Sequence, residues 1–158
     1  PGSIVGGEVK NSIFTAFSNK AHDGYIGDAV IGAWCNLGAG TSCSNIRNAI
    51  ADVKVWHMAS GQWLKAGMKC GVIMGDHCTC AINTSFNTGT VVGVSANIFQ
   101  SGSLLPKYIP SFSWGADGKE KYRIDKALEN IRQWMSLKHQ APDEALISSL
   151  TEIYNQDI

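Results

Sequence analysis

The residues able to do chemistry crowd into one stretch of this chain, Lys10 to Lys54. It opens with Glu8-Val9-Lys10 and continues through Ser18-Asn19-Lys20-Ala21-His22-Asp23-Gly24-Tyr25-Ile26-Gly27-Asp28. Asn36-Leu37-Gly38-Ala39-Gly40-Thr41 and Asn45 follow. His22 offers an imidazole, a group that titrates near working pH and suits general acid/base work. Lys10 and Lys54 offer positive charge, and Tyr25 and Asn36 offer hydrogen-bonding groups. Each also has a plainer reading: a lone histidine is usually a surface residue, lysines are usually solvated, and a Tyr and an Asn can simply pack or stabilise a turn. His57 and His139 show no partner that would give them a role.

Those residues need a scaffold, and the sequence supplies one further on. Met74, Cys80, Phe86, Val92, Ile98 and Leu104 follow one another at a spacing of six, and all are apolar. Two positions before each rung runs a second ladder of small or medium residues, Val72, Cys78, Thr84, Thr90, Ala96 and Gly102. Strand faces alternate with period two, so both ladders point the same way, whereas a step of six would scatter around a helix. The pattern predicts a mainly β fold, a parallel β-helix of hexapeptide repeats in which each hexad is a short strand and a corner. The register extends back through Ile26, Ile31, Leu37 and Cys43, with one step of five between Ile26 and Ile31. That step reads as a tightened corner beside His22 and Tyr25.

The same register disposes of the cysteines. Cys35, Cys43, Cys78 and Cys80 fall on inward ladders and read as small hydrophobes in a reducing compartment. His77, Cys78 and Cys80 resemble a metal cluster only superficially, because both thiols are committed to the core; no metal is expected. Thirteen Lys and Arg balance thirteen Asp and Glu, so no global field draws the chain to nucleic acid or to an anionic membrane. Its longest apolar run is far short of a membrane span, and no signal-peptide pattern opens it, so a cytoplasmic location is expected.

Three regions interrupt or follow the repeats. Residues 45–71 break the ladder and read as an inserted hairpin or loop, with Val53, Val55 and Trp56 on one arm, Trp63 and Leu64 on the other, and a turn at Ser60-Gly61. The β-helix is expected over residues 1–110 and a helical extension over 111–158. Within the extension a helical pattern starts at Lys119 and presents Ile124, Leu128, Ile131, Trp134 and Met135. A second starts near Pro142 and presents Leu146, Ile147, Leu150 and Ile153. These helices are expected to cap or brace the coils. The chain begins already in coil sequence, with Ile4, Val5 and Val9, so it is expected to be a fragment of a larger protein.

The block His22, Tyr25-Ile26-Gly27-Asp28, Ile31-Gly32 and Asn36-Leu37-Gly38-Ala39-Gly40 resembles the acetyltransferase domain of a bifunctional family. That family makes UDP-N-acetylglucosamine from glucosamine-1-phosphate. The resemblance covers residues 8 to 104. The long loop, the segment Pro110-Ser111-Phe112-Ser113-Trp114-Gly115 and the C-terminal helices resemble an alternative bacterial branch, often labelled a sugar-nucleotide or glucose-1-phosphate thymidylyltransferase. The resemblance implies a left-handed β-helix that forms homotrimers and has its active site in a cleft between subunits. The implied activity is N-acetyl transfer from acetyl-CoA to an amino-sugar 1-phosphate, with Mg needed only by a preceding nucleotidyltransferase domain. It makes His22 the general base, Lys10 and Lys54 phosphate contacts, and Tyr25 and Asn36 sugar contacts. The N-H of Ala39 becomes an oxyanion donor, with Asn45 beside the acetyl group. The chain departs from the family at Ile46, where a tyrosine is usual, and at Ile82, where a coenzyme-contacting serine is usual. A non-catalytic trimerising or regulatory β-helix is the alternative. A zinc hydratase of the carbonic anhydrase type is a third reading, but His22, His57 and His77 lack the close pairing it needs.

Overall fold

The computed structural model describes residues 1–99 and 104–156, and over these the chain forms a left-handed parallel β-helix followed by two helices. Two- and three-residue strands stack from coil to coil into three faces. The first face is a seven-stranded sheet running from Ile4–Val5 through Asn19–Lys20, Asn36–Leu37, Thr79–Cys80 and Asn97–Ile98 to Ser113–Trp114, with Glu120–Lys121 at its edge. The second is a five-stranded sheet of Ile13–Phe14, Val30–Ile31, Ile73–Met74, Val91–Val92 and Tyr108–Ile109. The third carries Glu8–Lys10 paired with Tyr25–Gly27, and Ser42–Cys43 paired with Ser85–Phe86.

The core follows the ladders. Ile26, Ile31, Leu37, Cys43, Met74, Cys80, Phe86, Val92 and Ile98 are buried together, with Cys35, Val72, Cys78 and Ala96 beside them. Thr84 and Thr90 are buried too, their hydroxyls donating to the carbonyls of Ala81 and Asn87. The five-residue step recurs in the coil above, between Val9 and Phe14; Asp28 turns the one corner in the left-handed conformation, φ 49°, and Asn11 the other at φ 50°. Val9 therefore pairs with Ile26 and Phe14 with Ile31, 17 residues apart, whereas Met74 pairs with Val92, 18 residues apart.

The last rung is displaced. Leu104, expected inside, is 64% exposed, and Leu105 is the buried residue at 4%. The step from Ile98 to the buried Leu105 is seven residues instead of six, and because side chains alternate between faces, Leu104 points outward. Gly102, expected on the second ladder, lies outside the described residues.

Residues Lys54–His57 and Gln62–Lys65 form an antiparallel hairpin with its turn at 58–61. It is seated on the coils at two points. Val53 and Val55 close over Gly89, where an added Cβ would lie 2.5 Å from Val53 Cγ1, and Trp56 packs against Tyr108 with ring centroids 5.4 Å apart.

The first helix begins later than expected. Glu120–Lys121 turns back as a strand antiparallel to Ser113–Trp114, covering the sheet's final edge, and the helix runs Ile124–Ser136. The second runs Glu144–Asn155. Asp143 is its N-cap and accepts from the Leu146 N-H at 2.8 Å, so Pro142 precedes the helix instead of opening it. Both helices lie along one corner of the prism, where Ala127, Ile131, Met135 and Leu150 bury against Phe112, Trp34 and Val94. They brace the coils from the side. No helix of the described residues is long and apolar enough to cross a membrane.

Candidate active site

His22 sits at the corner where the chain leaves the seven-stranded face at Asn19–Lys20 and enters the third face at Tyr25–Gly27. Its side chain is exposed, and what holds the corner lies underneath. Lys20 is fully buried on an inward position, and its ammonium donates to the carbonyl oxygens of His22 at 2.5 Å, Asp23 at 2.6 Å and Gly6 at 3.4 Å. Burial pushes that ammonium below the ordinary lysine value, and the Asp23 carboxylate and the Cys80 side chain pull it partly back. Gly24 completes the corner at φ 106°, so close to the next coil that an added Cβ would lie 2.1 Å from the Thr41 oxygen.

Directly beneath is the corner Gly38-Ala39-Gly40. The Ala39 carbonyl accepts from the Asn83 N-H at 2.7 Å, while no hydrogen bond among the described residues engages the Ala39 N-H. That amide is available to donate to a negatively charged oxygen.

Tyr25 and Asn45 meet on the third face. The Tyr25 hydroxyl accepts from Asn45 Nδ2 at 2.9 Å, and the same nitrogen donates to Asp28 Oδ2 at 2.5 Å. Gly27 makes room for this, since a Cβ there would lie 2.0 Å from the hydroxyl oxygen. Burial pushes the Tyr25 phenol up, the Asp28 and Glu8 carboxylates add to that, and the Asn45 hydrogen bond opposes it. Lys10 is exposed one coil above, paired in register with Gly27, and so shares the third face with Tyr25.

Two expected residues lie elsewhere. Asn36 stands on the seven-stranded face, in an outward row with Asn19, Thr79 and Asn97, so within one chain it is across the corner from Tyr25. Lys54 opens the hairpin and lines a groove of about 860 Å³ together with Ser44, Arg47, Trp63, Asn87 and Lys107. That groove lies against the third and fourth coils, about 10–14 Å along the axis from Lys10 at the usual strand spacing. Burial pushes the Lys107 ammonium down, and so do the like charges of Arg47 and Lys54, while Cys70 opposes them.

Sequence reasoning missed Lys20, Asp28, Arg47 and Lys107. Lys20 carried a signal, because it stands six after Phe14 and six before Ile26, on the ladder itself. Arg47 and Lys107 are far apart in sequence and meet only through the fold. Cys78 and Cys80 are buried among the core residues, and no group of three or more His, Cys, Asp or Glu side chains among the described residues is arranged to hold a metal ion.

Comparison with known proteins gives the following. No protein-family profile matches the chain. It is 35% identical over 91 residues to a "Bifunctional protein GlmU" of Methanococcus maripaludis, covering 58% of this chain and 22% of that protein. It is 38% identical over 86 residues to a "Bifunctional protein GlmU" of Methanocaldococcus jannaschii, covering 54% and 21%. A "Bifunctional sugar-1-phosphate nucleotidylyltransferase/acetyltransferase" of Sulfurisphaera tokodaii is 36% identical over 93 residues, covering 58% and 23%. The chain thus spans about a quarter or less of the length of these curated relatives. Over rather more than half of its own length, then, this β-helix resembles part of the bifunctional GlmU proteins and of a sugar-1-phosphate nucleotidylyltransferase/acetyltransferase.

Proposed function

We propose that the chain is an acetyltransferase that moves an acetyl group from acetyl-CoA to the amine of an amino-sugar 1-phosphate such as glucosamine-1-phosphate. The observation that carries this reading is the pairing of two stacked corners: an exposed imidazole at His22 above an unengaged N-H at Ala39. The word acetyltransferase in the name of the Sulfurisphaera relative agrees with it.

His22 accepts a proton from the sugar's amine as its nitrogen attacks the thioester carbonyl carbon. The N-C bond forms, and the carbonyl oxygen takes negative charge and receives the Ala39 N-H. Collapse breaks the C-S bond, and the proton held on His22 passes to the departing sulfur. Tyr25 and Asn45 orient sugar and acetyl group, and Lys10 pairs with the sugar phosphate. The groove of Arg47, Lys54 and Lys107 offers its positive charge to the phosphates of the donor, so Lys54 serves that end. Asn36 reaches a substrate only across the corner, or from a neighbouring copy.

A homotrimer fits the start of the five-stranded face, where the outward Ile13 and Val30 are 62% and 40% exposed, while Val91 further along the same row is already buried within the chain. An apolar row of this kind is suited to burial against another copy. It also favours a second reading, in which the coils only trimerise or regulate a preceding sugar-1-phosphate nucleotidyltransferase, itself Mg-dependent. A cytoplasmic location suits both.

Crystals soaked with acetyl-CoA and glucosamine-1-phosphate distinguish the two. Acetyltransferase function predicts density for both beside His22, and the trimerising reading predicts none.

A further inference from the structure

We propose that Lys20 is a positioning residue for His22, acting through the backbone of the corner that carries the imidazole. The proposal rests on His22 being the general base.

Lys20 occupies a rung of the inner wall. Asn19 pairs with Asn36, which puts Lys20 over Leu37, and Val5 pairs with Lys20 from above. Every other rung in this column of coils is apolar, so an ammonium here is a costly choice. All of its donors are used within the protein: an ammonium has three, and the carbonyls of Gly6, His22 and Asp23 take them. Two of those carbonyls belong to the corner and the third to the coil above it.

The corner needs this tether because its ordinary one is missing. In the neighbouring coils, the residue after the strand donates its N-H to the next coil: Gly6 to the Lys20 carbonyl at 2.7 Å, and Gly38 to the Cys80 carbonyl at 3.1 Å. Ala21 holds the equivalent place, yet no hydrogen bond among the described residues engages the N-H of Ala21, His22 or Asp23. The lysine ammonium replaces the absent stacking bond and fixes the exposed loop from inside. A base held this way keeps its aim without a side-chain partner on the solvent side, where the substrate must enter.

Lys20→Met tests this, because it keeps the rung filled and apolar and removes all three donors. Amide hydrogen exchange at Glu8 and Tyr25, whose N-H groups donate to the Gly24 carbonyl and the Ser42 hydroxyl and so report on the corner, should quicken about tenfold or more while the coils below stay protected. In the same variant, kcat for acetylation of glucosamine-1-phosphate should fall about 100-fold with KM for acetyl-CoA within about threefold, and Lys20→Arg should recover part of kcat. Unchanged exchange overturns the proposal, as does faster exchange with unchanged kcat, or a kcat loss no larger than the loss of folded protein. If the wild-type chain transfers no acetyl group, the role of His22 as base fails. The exchange measurement still decides whether Lys20 holds the corner.

Discussion

The Tyr25 hydroxyl and the Asn45 amide are joined by a 2.9 Å hydrogen bond across two coils of the third face, and the same amide nitrogen reaches Asp28. This ties a strand residue to the first residues of the insertion. Tyr25→Phe removes the acceptor and leaves Asn45 with Asp28 alone. A drop of about 5- to 10-fold in kcat/KM for the amino sugar is expected, the size of one neutral hydrogen bond. Gly27→Ala should be worse than Tyr25→Phe, because its Cβ would displace the ring from a position 2.0 Å away. Steady-state kinetics of the two variants check the order.

The hairpin groove predicts a separate phenotype. Lys107→Ala and Arg47→Ala each remove one of three clustered cations that line it. KM for acetyl-CoA should rise about 3- to 10-fold with kcat nearly unchanged, and the difference from wild type should shrink as salt is added. A fall in kcat without a change in KM would place the donor's phosphates elsewhere.

His77 gives the fold a pH dependence. It is buried at a left-handed corner, φ 59°, where burial pushes its imidazole below the ordinary value and Asp76 opposes the shift. The folded chain therefore holds His77 neutral at a pH where the unfolded chain takes up a proton. Its contribution to stability is full above the unfolded value, about 6.5, and is lost as pH falls toward the lower folded value. His77→Asn suits the corner and does not titrate. Thermal midpoints measured from pH 7.5 to 5 should drop less steeply in this variant than in wild type.

The displaced rung makes a prediction about packing. Leu105→Ala should cost about 2–5 kcal/mol, the range for emptying a buried leucine site, while Leu104→Ala should stay within about 0.5 kcal/mol. Chemical denaturation of the two variants reads the difference directly.

The ladders were legible because a parallel β-helix writes its inner wall into the sequence at a fixed step, from Ile26 to Ile98. Cys35, Cys43, Cys78 and Cys80 became intelligible as wall residues for the same reason. The rule failed at Leu104, because the buried residue there is Leu105, seven after Ile98, and no composition signal marks the longer step. Lys20 was passed over because a charged residue on an apolar ladder reads as an interruption, when it is a rung whose charge has been turned onto carbonyl groups. The hairpin turn near Ser60 was visible from its turn residues, whereas the tightened corner between Ile26 and Ile31 falls at Asp28, one strand beyond the corner that carries His22. Asn36 is different: its outward register was readable, but which of three faces it stands on depends on counting corners. The meeting of Arg47 with Lys107 needs the fold itself.

The central claim is that His22 removes the proton from the attacking amine. It is tested most directly by following CoA release and product mass with acetyl-CoA and glucosamine-1-phosphate for the wild-type chain and His22→Ala. N-acetylated sugar phosphate is expected from the wild type and a loss of about 100-fold or more in kcat from the variant, with the variant folded and in the same oligomeric state as the wild type. An inert wild-type chain, or a His22→Ala variant with wild-type turnover, would contradict it.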